Sequence, residues 1–255
     1  MRSPSLTVAS WSDRLAANIK VSRPEGAGPF PVVLLMHGCG GLQPFMRSYA
    51  EAAVAAGFAA VTIDSFTPRG LSRASAHLVV CTGLGVHGQR RAADIFAMLH
   101  WLKGQAWADA DHVAVAGWSH GGWTILDALA LSPATARATG LIDVDLAALA
   151  RVKTAVLVYP YAGPFSTALR RGWSGRTPRV AAVLGGKDQV VGFRAAERVL
   201  GRLSADGLAI DTLKFDDATH AFDDDRASDP RTRHRPDYAE QTQAFFAQAL
   251  RSALA

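Results

Sequence analysis

The amino-acid sequence predicts a three-layer α/β sandwich whose central sheet is mostly parallel. Short, continuous apolar runs are typical of strands that are buried on both faces, and five of them occur, at residues 31–37, 59–64, 112–117, 154–159 and 180–184. Segments with helical apolar spacing lie between these runs or follow them, at residues 45–56, 89–103, 121–131, 193–205 and 238–254. Because parallel strands need long crossover connections, this alternation favours βαβ units.

The two ends of the chain and two internal segments depart from this pattern. Residues 15–22 alternate between apolar and polar positions and predict an N-terminal antiparallel strand, followed by a Pro- and Gly-rich turn at residues 24–31. Residues 210–215 also alternate, as expected of a strand near a sheet edge. No composition break divides the chain, so one domain over residues 1–255 is expected. The irregular segments 65–88 and 132–178 are predicted pocket walls, because ligand sites form beyond the carboxyl ends of strands.

The composition excludes several classes of protein. With 49% hydrophobic and 19% charged residues over 255 positions, the chain is too apolar for a disordered protein and long enough to form a core without metal staples. The formal net charge is +5, but the basic residues are scattered, so nucleic acid is not a predicted partner. No apolar run reaches the roughly 18 residues of a transmembrane helix, so no membrane partner is predicted.

The cysteines and the N-terminus bear on metal binding and location. Cys39 and Cys81 are too few for a four-ligand zinc site, and a single bridge between them stays open. The N-terminal residues lack the apolar core of a signal peptide, which favours the cytoplasm; a leader already removed would instead indicate the periplasm or secretion. The sequence indicates no particular oligomeric state.

The most informative motif is Gly117-Trp118-Ser119-His120-Gly121, which fits the pattern Gly-x-Ser-x-Gly. It follows one apolar strand and opens an apolar helix. In that context a sharp strand-to-helix turn exposes the serine Oγ, and the flanking glycines remove side chains that would clash. We therefore predict that Ser119 is a catalytic nucleophile. The alternative is that Ser119 only caps the helix that follows it.

A serine nucleophile needs a base and an acid that orients the base. Asp188 directly follows the fifth predicted strand, and His220 lies in the loop between the last predicted strand and the last helix. Both positions belong to the same sheet edge as Ser119, in the chain order serine, acid, histidine. Asp216 and Asp217 are rival acids, but they share a strand and loop with His220, and orienting its ring from there is awkward.

Two backbone N–H groups are predicted to stabilise the oxyanion. One belongs to His120, the residue after the nucleophile, and the other to Cys39 in the glycine-rich loop after the first central strand. The small residues of this loop, Gly38, Gly40 and Gly41, let its backbone approach a substrate. The Cys39 thiol is not proposed as a nucleophile.

These motifs together resemble the dienelactone hydrolase family of the α/β-hydrolase superfamily. The resemblance runs from about residue 15 to the C-terminus and is carried by VVLLMHGCGGLQPFMRSYAEAAVAAGFAAVTIDSFTPRG, GWSHGG, LGGKDQVV and ATHAF. It implies an α/β-hydrolase fold and hydrolysis of a small carboxylic ester or lactone through an acyl-enzyme, with Ser119, Asp188 and His220 as the catalytic triad. No cofactor and no metal are expected.

The sequence departs from the founding members of that family at three positions. They carry a cysteine nucleophile where Ser119 stands, a glutamate where Gly38 stands, and a substrate-binding arginine where Asp224 stands. A serine esterase acting on another ester or lactone is therefore expected rather than a dienelactone hydrolase in the strict sense.

Four further residues are candidates for binding the substrate. Arg69 lies in the loop after the second central strand, where the resemblance places an arginine that holds a substrate carboxylate; the alternative is a structural Arg69 paired with Asp64 or a loop carbonyl. Tyr159 and Tyr161 follow the fourth central strand, and pocket lining and plain packing are both open for them. Trp118, beside the nucleophile, is also a candidate, although packing beneath the turn is favoured.

Other functions remain as alternatives. Gly83, Gly85 and Gly88 fit the Gly-x-Gly-x-x-Gly pattern of a dinucleotide-binding oxidoreductase, but the next strand ends without an acid for the ribose. A non-catalytic, ligand-binding member of the same fold is the second alternative. The acidic run 223–225 lacks the spacing of a metal loop, so a solvated loop is predicted there.

Overall fold

The computed structural model describes residues 6–72, 75–76, 80, 85–173 and 175–254. In this part of the chain a seven-stranded sheet has the order β1-β3-β2-β4-β5-β6-β7. Its strands are β1 (Ile19–Ser22), β2 (Phe30–Met36), β3 (Ala59–Ile63), β4 (Ala108–Trp118), β5 (Val152–Val158), β6 (Arg179–Gly185) and β7 (Ile210–Phe215). All neighbouring strands run parallel except β1, which pairs antiparallel with β3.

Helices cover both faces of the sheet. They are α1 (Val8–Ala16), α2 (Met46–Ala55), α3 (Gly88–Arg91), α4 (Ala93–Leu102), α5 (His120–Leu129), α6 (Ala168–Arg171), α7 (Phe193–Ala205) and α8 (Pro236–Arg251). Successive strand residues point to opposite faces, so Val32 and Leu34 join one apolar cluster with α1, α4, α5 and α7, whereas Val33 and Leu35 join another with α2 and α8. The predicted three-layer α/β sandwich is confirmed.

The N-terminal prediction is partly wrong. Only residues Ile19–Ser22 form the antiparallel strand, because residues 8–16 form helix α1. Thr7 caps this helix by accepting a hydrogen bond of 3.1 Å from the Ser10 N–H, and Trp11 and Leu15, four residues apart, bury the same helical face. Capping and tertiary burial therefore override the local alternation around Leu15.

The two irregular segments are described to different extents. Residues 73–74, 77–79 and 81–84 lie outside the described residues, and with them Cys81, Gly83 and the questions of a cysteine bridge and a dinucleotide loop. The second segment contains two short 3-10 helices, Ala136–Thr139 and Leu146–Arg151, and helix α6. Among the described helices, none combines the length and the apolar character that crossing a membrane would require.

Candidate active site

The turn at Ser119 connects β4 to α5 with a strained backbone. Ser119 has φ 52° and ψ −111°, a region that residues with a side chain rarely adopt. The turn is possible because its neighbours are glycines. A Cβ on Gly117 would lie 2.4 Å from the Gly121 carbonyl carbon, and a Cβ on Gly121 would lie 2.0 Å from the Met36 carbonyl oxygen. This geometry is the sharp strand-to-helix turn that a nucleophile requires.

Three of the sequence-predicted residues meet at this turn. His220 Nε2 lies 2.9 Å from Ser119 Oγ, and His220 Nδ1 lies 2.7 Å from Asp188 Oδ2. Asp188 follows β6 and His220 follows β7, so the carboxyl edge of the parallel sheet brings them to the end of β4. All three side chains are buried. The contacts are those of a nucleophile, a base and an orienting acid.

The environment of Asp188 keeps its carboxylate ionised. Burial by itself raises the pKa of Asp188, but the hydrogen bond and the charge of His220, together with the backbone N–H groups of Val190 and Val191, hold that pKa below its usual range. These two N–H groups donate to Oδ1 at 2.9 and 3.0 Å, which leaves Oδ2 to the imidazole. An ionised Asp188 fixes Nδ1 of His220 as the protonated nitrogen.

One rival acid has different partners. Asp217 accepts a hydrogen bond of 2.9 Å from Arg235 and another from the Tyr238 hydroxyl, and it is exposed. Its carboxylate therefore belongs to a surface network around the start of α8. Asp216 shapes the site through its backbone, since a Cβ on Gly186 would lie 2.4 Å from the Asp216 carbonyl oxygen.

The predicted oxyanion segments flank the nucleophile. Gly38 lies against Ser119, where an added Cβ would be 3.6 Å from the serine Cβ. Cys39 and His120 line the same cavity as Ser119 and His220. Their role as backbone donors to an oxyanion stays a prediction.

The cavity has a volume of about 710 Å³ and two unlike walls. One wall is aromatic and consists of Phe45, Trp118, Trp123, Tyr159, Tyr161 and Phe165. The other wall comes from the loop after His220 and carries charged side chains, namely Asp224, Arg226, Asp229 and Arg231. This loop is held in place where the Arg235 N–H donates to the Phe222 carbonyl at 2.8 Å. The sequence analysis did not predict the second wall, because no local pattern marks a loop that folds back.

The acidic run after His220 is solvated only at Asp225, because Asp223 and Asp224 are buried, and the prediction of a solvated loop is corrected for these two residues. Asp223 is buried and accepts hydrogen bonds from Tyr159 Oη at 2.5 Å, Tyr49 Oη at 2.6 Å and Trp118 Nε1 at 3.2 Å. Burial raises the pKa of Asp223, and the three donors oppose this rise. Asp224 is also buried. Polar partners from distant elements make this burial possible.

The hydrogen bonds to Asp223 determine which parts of Trp118 and Tyr159 are available to a substrate. The Trp118 indole N–H and the Tyr159 hydroxyl are both directed to the carboxylate, so these residues line the cavity with their rings alone. Tyr159, with φ 35°, places its ring centroid 4.7 Å from that of His220. Tyr161 lies further out, with its ring 4.6 Å from Trp123. Trp118 and Tyr159 therefore both line the cavity with their rings and pack in the core through their contacts with Asp223.

Arg69 does not line the cavity, and the prediction of a substrate anchor there is corrected. Its guanidinium donates to Asp94 Oδ1 and Oδ2 at 2.8 and 3.0 Å and to the Ser65 carbonyl at 2.6 Å, and it lies over the Trp11 ring. Of the structural alternative, the loop carbonyl is present as that of Ser65, whereas the acidic partner is Asp94 of α4 rather than Asp64. Among the described residues, the arginines that line the cavity are Arg226 and Arg231.

The described residues contain no group of three or more histidine, cysteine, aspartate or glutamate side chains that could hold a metal ion.

Solved structures with the same fold include proteins from three organisms. A Klebsiella pneumoniae protein provisionally described as a dienelactone hydrolase is 18% identical over 90% of this chain and 92% of its own, with a TM-score of 0.64. The propionate-bound esterase Est2 of Thermogutta terrifontis is 17% identical over 90% and 86%, with a TM-score of 0.62. A Pyrobaculum calidifontis esterase is 15% identical over 92% and 80%, with a TM-score of 0.61.

The family is decided at the level of sequence. No curated protein matches the chain. The model of the dienelactone hydrolase family, however, matches residues 18–250, which include the turn at Ser119, Asp188 and His220. With its parallel sheet, helices on both faces and a serine at the strand-to-helix turn, the chain belongs to the dienelactone hydrolase family of α/β-hydrolases.

Proposed function

We propose that this hydrolase is a serine esterase that cleaves a small carboxylic ester or lactone through an acyl-enzyme on Ser119. The observation that carries the proposal is the 2.9 Å contact between His220 Nε2 and Ser119 Oγ, with Asp188 at 2.7 Å on the other ring nitrogen. Esterase 2 of Thermogutta terrifontis is described as phosphorylated by paraoxon, which supports covalent chemistry in this fold.

Acylation needs two proton transfers, one from Ser119 to His220 and one from His220 to the leaving group. Ser119 Oγ attacks the ester carbonyl carbon while His220 Nε2 takes the hydroxyl proton, and Asp188 stabilises the imidazolium that forms. The carbonyl oxygen becomes an oxyanion between the backbone N–H groups of Cys39 and His120. When the bond to the leaving alkoxide breaks, His220 gives it the proton, so the charges balance.

Deacylation repeats these reaction steps with water as the nucleophile. His220 takes a proton from the water, the oxyanion forms again, and the acid leaves as Ser119 regains its proton. The cavity of about 710 Å³ holds a small substrate rather than a polymer, and its aromatic wall suits an apolar part of that substrate.

Hydrolysis of p-nitrophenyl butyrate and labelling by a fluorophosphonate probe test this proposal. We expect the wild-type protein to turn over the ester and to carry the probe on Ser119 by peptide mass spectrometry. Ser119→Ala should lower kcat by about 10³-fold or more, because nucleophile and base act as one unit. Ser204→Ala, an exposed change in α7, is the matched control and should keep both activities.

The non-catalytic alternative makes the opposite prediction. A protein that only binds a ligand would leave the ester intact and Ser119 unlabelled. Ester hydrolysis that persists in Ser119→Ala would instead show that another group carries the reaction.

A further inference from the structure

Arg91 is a fully buried cation next to the candidate oxyanion segments. Its Nε donates to Ser65 Oγ at 2.8 Å, and its Nη1 donates to the His37 carbonyl at 2.8 Å and lies 3.1 Å from His120 Nδ1. Among the described residues these partners are all neutral, and Nη2 has no hydrogen-bond partner. Burial lowers the pKa of Arg91 to about 9, although Asp94 and Asp64 favour its charge without a hydrogen bond to it, so the position of Arg91 in the core calls for an explanation.

The partners of Arg91 Nη1 belong to the two segments that flank Ser119. The His37 carbonyl directly precedes the Gly38–Cys39 peptide, and His120 is the residue after the nucleophile. Arg91 itself lies at the end of α3, a separate element. The two segments already pack directly against each other, with Gly38 against Ser119 and Gly121 against the Met36 and His37 carbonyls, and one guanidinium nitrogen adds a hydrogen-bonded link between them.

The hydrogen-bond directions around His120 are determined by its neighbours. His120 Nε2 lies 2.6 Å from the Val86 carbonyl, which can only accept, so Nε2 carries the proton and Nδ1 accepts from Arg91. Burial and the charge of Arg91 lower the pKa of His120 to about 3. His120 is thus a neutral ring with one tautomer.

His37 is held in the same manner. Its Nδ1 lies 2.7 Å from the Gly38 carbonyl and its Nε2 accepts from the Ser65 N–H at 3.1 Å, so Nδ1 carries the proton. Burial and then Arg91 lower the pKa of His37 well below its usual value. Both histidines are therefore neutral, and Arg91 is the cation nearest to the segments they belong to.

We propose that Arg91 is a positioning residue for the oxyanion hole. By donating from Nη1 to the His37 carbonyl and to His120 Nδ1, it holds the Cys39 and His120 backbone N–H groups at the separation that the tetrahedral oxyanion requires. The inference rests on the proposed serine-esterase function. Among the described hydrogen-bond partners of Arg91, His120 is the one that lines the cavity, so Arg91 acts on a substrate through the His37 and His120 segments.

This role predicts which kinetic constant depends on Arg91. Binding of the ester depends on the cavity walls, which Arg91 does not form, whereas the oxyanion exists only after Ser119 has attacked. A displaced donor therefore weakens the transition state and leaves the Michaelis complex unaltered. The loss should appear in kcat and in the affinity for a tetrahedral analogue, with KM retained.

The test compares Arg91→Met with Arg151→Met. Arg151 also donates to two carbonyls, of Leu99 and Ala110 at 2.8 and 3.3 Å, but at the opposite end of β4 from Ser119, so it controls for the loss of a carbonyl-binding arginine. For Arg91→Met we expect kcat on p-nitrophenyl butyrate to fall about 10- to 100-fold, with KM within about threefold. The affinity for an alkyl trifluoromethyl ketone should fall by the same factor as kcat. Arg151→Met should keep all three values.

A second pair of variants keeps Arg91 in place and so does not depend on the folding of Arg91→Met. His120→Asn retains a side-chain oxygen that can accept from Arg91, and His120→Leu removes the acceptor. We expect His120→Asn to retain more kcat and more affinity for the ketone than His120→Leu, at similar KM.

The outcomes separate this inference from the proposed function. Wild-type protein that neither hydrolyses the ester nor reacts at Ser119 overturns the proposed function and this role with it. If the wild-type protein is active, two results for Arg91→Met would overturn only the role of Arg91. One is a kcat within about twofold of wild type, and the other is an unchanged affinity for the ketone while kcat falls. Equal kcat and equal ketone affinity in the two His120 variants would overturn it as well.

Discussion

The buried ionisable groups next to Ser119 differ between its two sides, although the loop after His220 also carries Arg226 and Arg231. On the histidine side, His220 lies between the carboxylate of Asp188 and the ring of Tyr159, whose hydroxyl donates to buried Asp223. On the oxyanion side, the segments around His37 and His120 are held by buried Arg91, and both imidazoles are neutral. During ester cleavage a positive imidazolium would form on the first side and a negative oxyanion on the second. The buried charges thus match the charges that the proposed reaction develops, which indicates electrostatic preorganisation.

The largest effect on turnover is expected from Asp188→Asn. The amide removes the negative charge beside His220 and can hold the imidazole in the wrong tautomer, so kcat should fall by about 10³-fold with little change in fold. The measurement is kcat on p-nitrophenyl butyrate, with circular dichroism to check folding.

Asp217→Asn is the matched control for that change. Its carboxylate is exposed and binds Arg235 and Tyr238, so kcat should stay within about twofold of wild type. A large loss in Asp217→Asn with a small one in Asp188→Asn would reverse the acid assignment.

An intermediate effect is expected from Asp223→Asn. An amide cannot accept from Tyr49, Tyr159 and Trp118 together, so the free energy of unfolding should fall by about 1–3 kcal/mol in urea titrations. Because Tyr159 packs on His220 through its ring, kcat should fall no more than about tenfold.

Tyr159→Phe separates the two contributions of that cluster. It removes one donor to Asp223 but keeps the ring against His220, so it should lose about 1 kcal/mol of stability and little kcat. If Asp223→Asn instead abolished turnover in a folded protein, Asp223 would have to act on His220 directly.

The smallest effect on turnover is expected from Arg69→Met. Arg69 is neutralised by a two-point contact with Asp94, unlike Arg91. Its loss should leave the buried Asp94 carboxylate without this ion pair, with the Trp11 Nε1 hydrogen bond of 2.8 Å still in place, and cost about 3–5 kcal/mol of stability. The ratio of kcat/KM for a neutral ester and a matching ester with a carboxylate should not change. A selective loss on the acidic ester would restore Arg69 as a substrate anchor.

The elements that could be predicted from the amino-acid sequence are those with local signals. Continuous apolar runs predicted the central strands, and Gly-x-Ser-x-Gly between a strand and a helix predicted the turn at Ser119, because the period of burial and the need for glycine act within a few residues. Asp188 and His220 could be selected because each follows a strand, and the carboxyl ends of parallel strands share one edge.

The partners of the buried charged side chains follow from the folded structure and not from a local sequence pattern. Asp94 lies 25 residues from Arg69, the His37 carbonyl 54 residues from Arg91, and Trp118 and Tyr159 lie 105 and 64 residues from Asp223. No local pattern couples residues at such separations. A charged residue that is predicted to be solvated can be buried when donors from distant parts of the chain form hydrogen bonds with it. Arg69, Arg91 and Asp223 therefore obtain their partners from the packing of the loops at the sheet edge, which is a property of the folded chain alone.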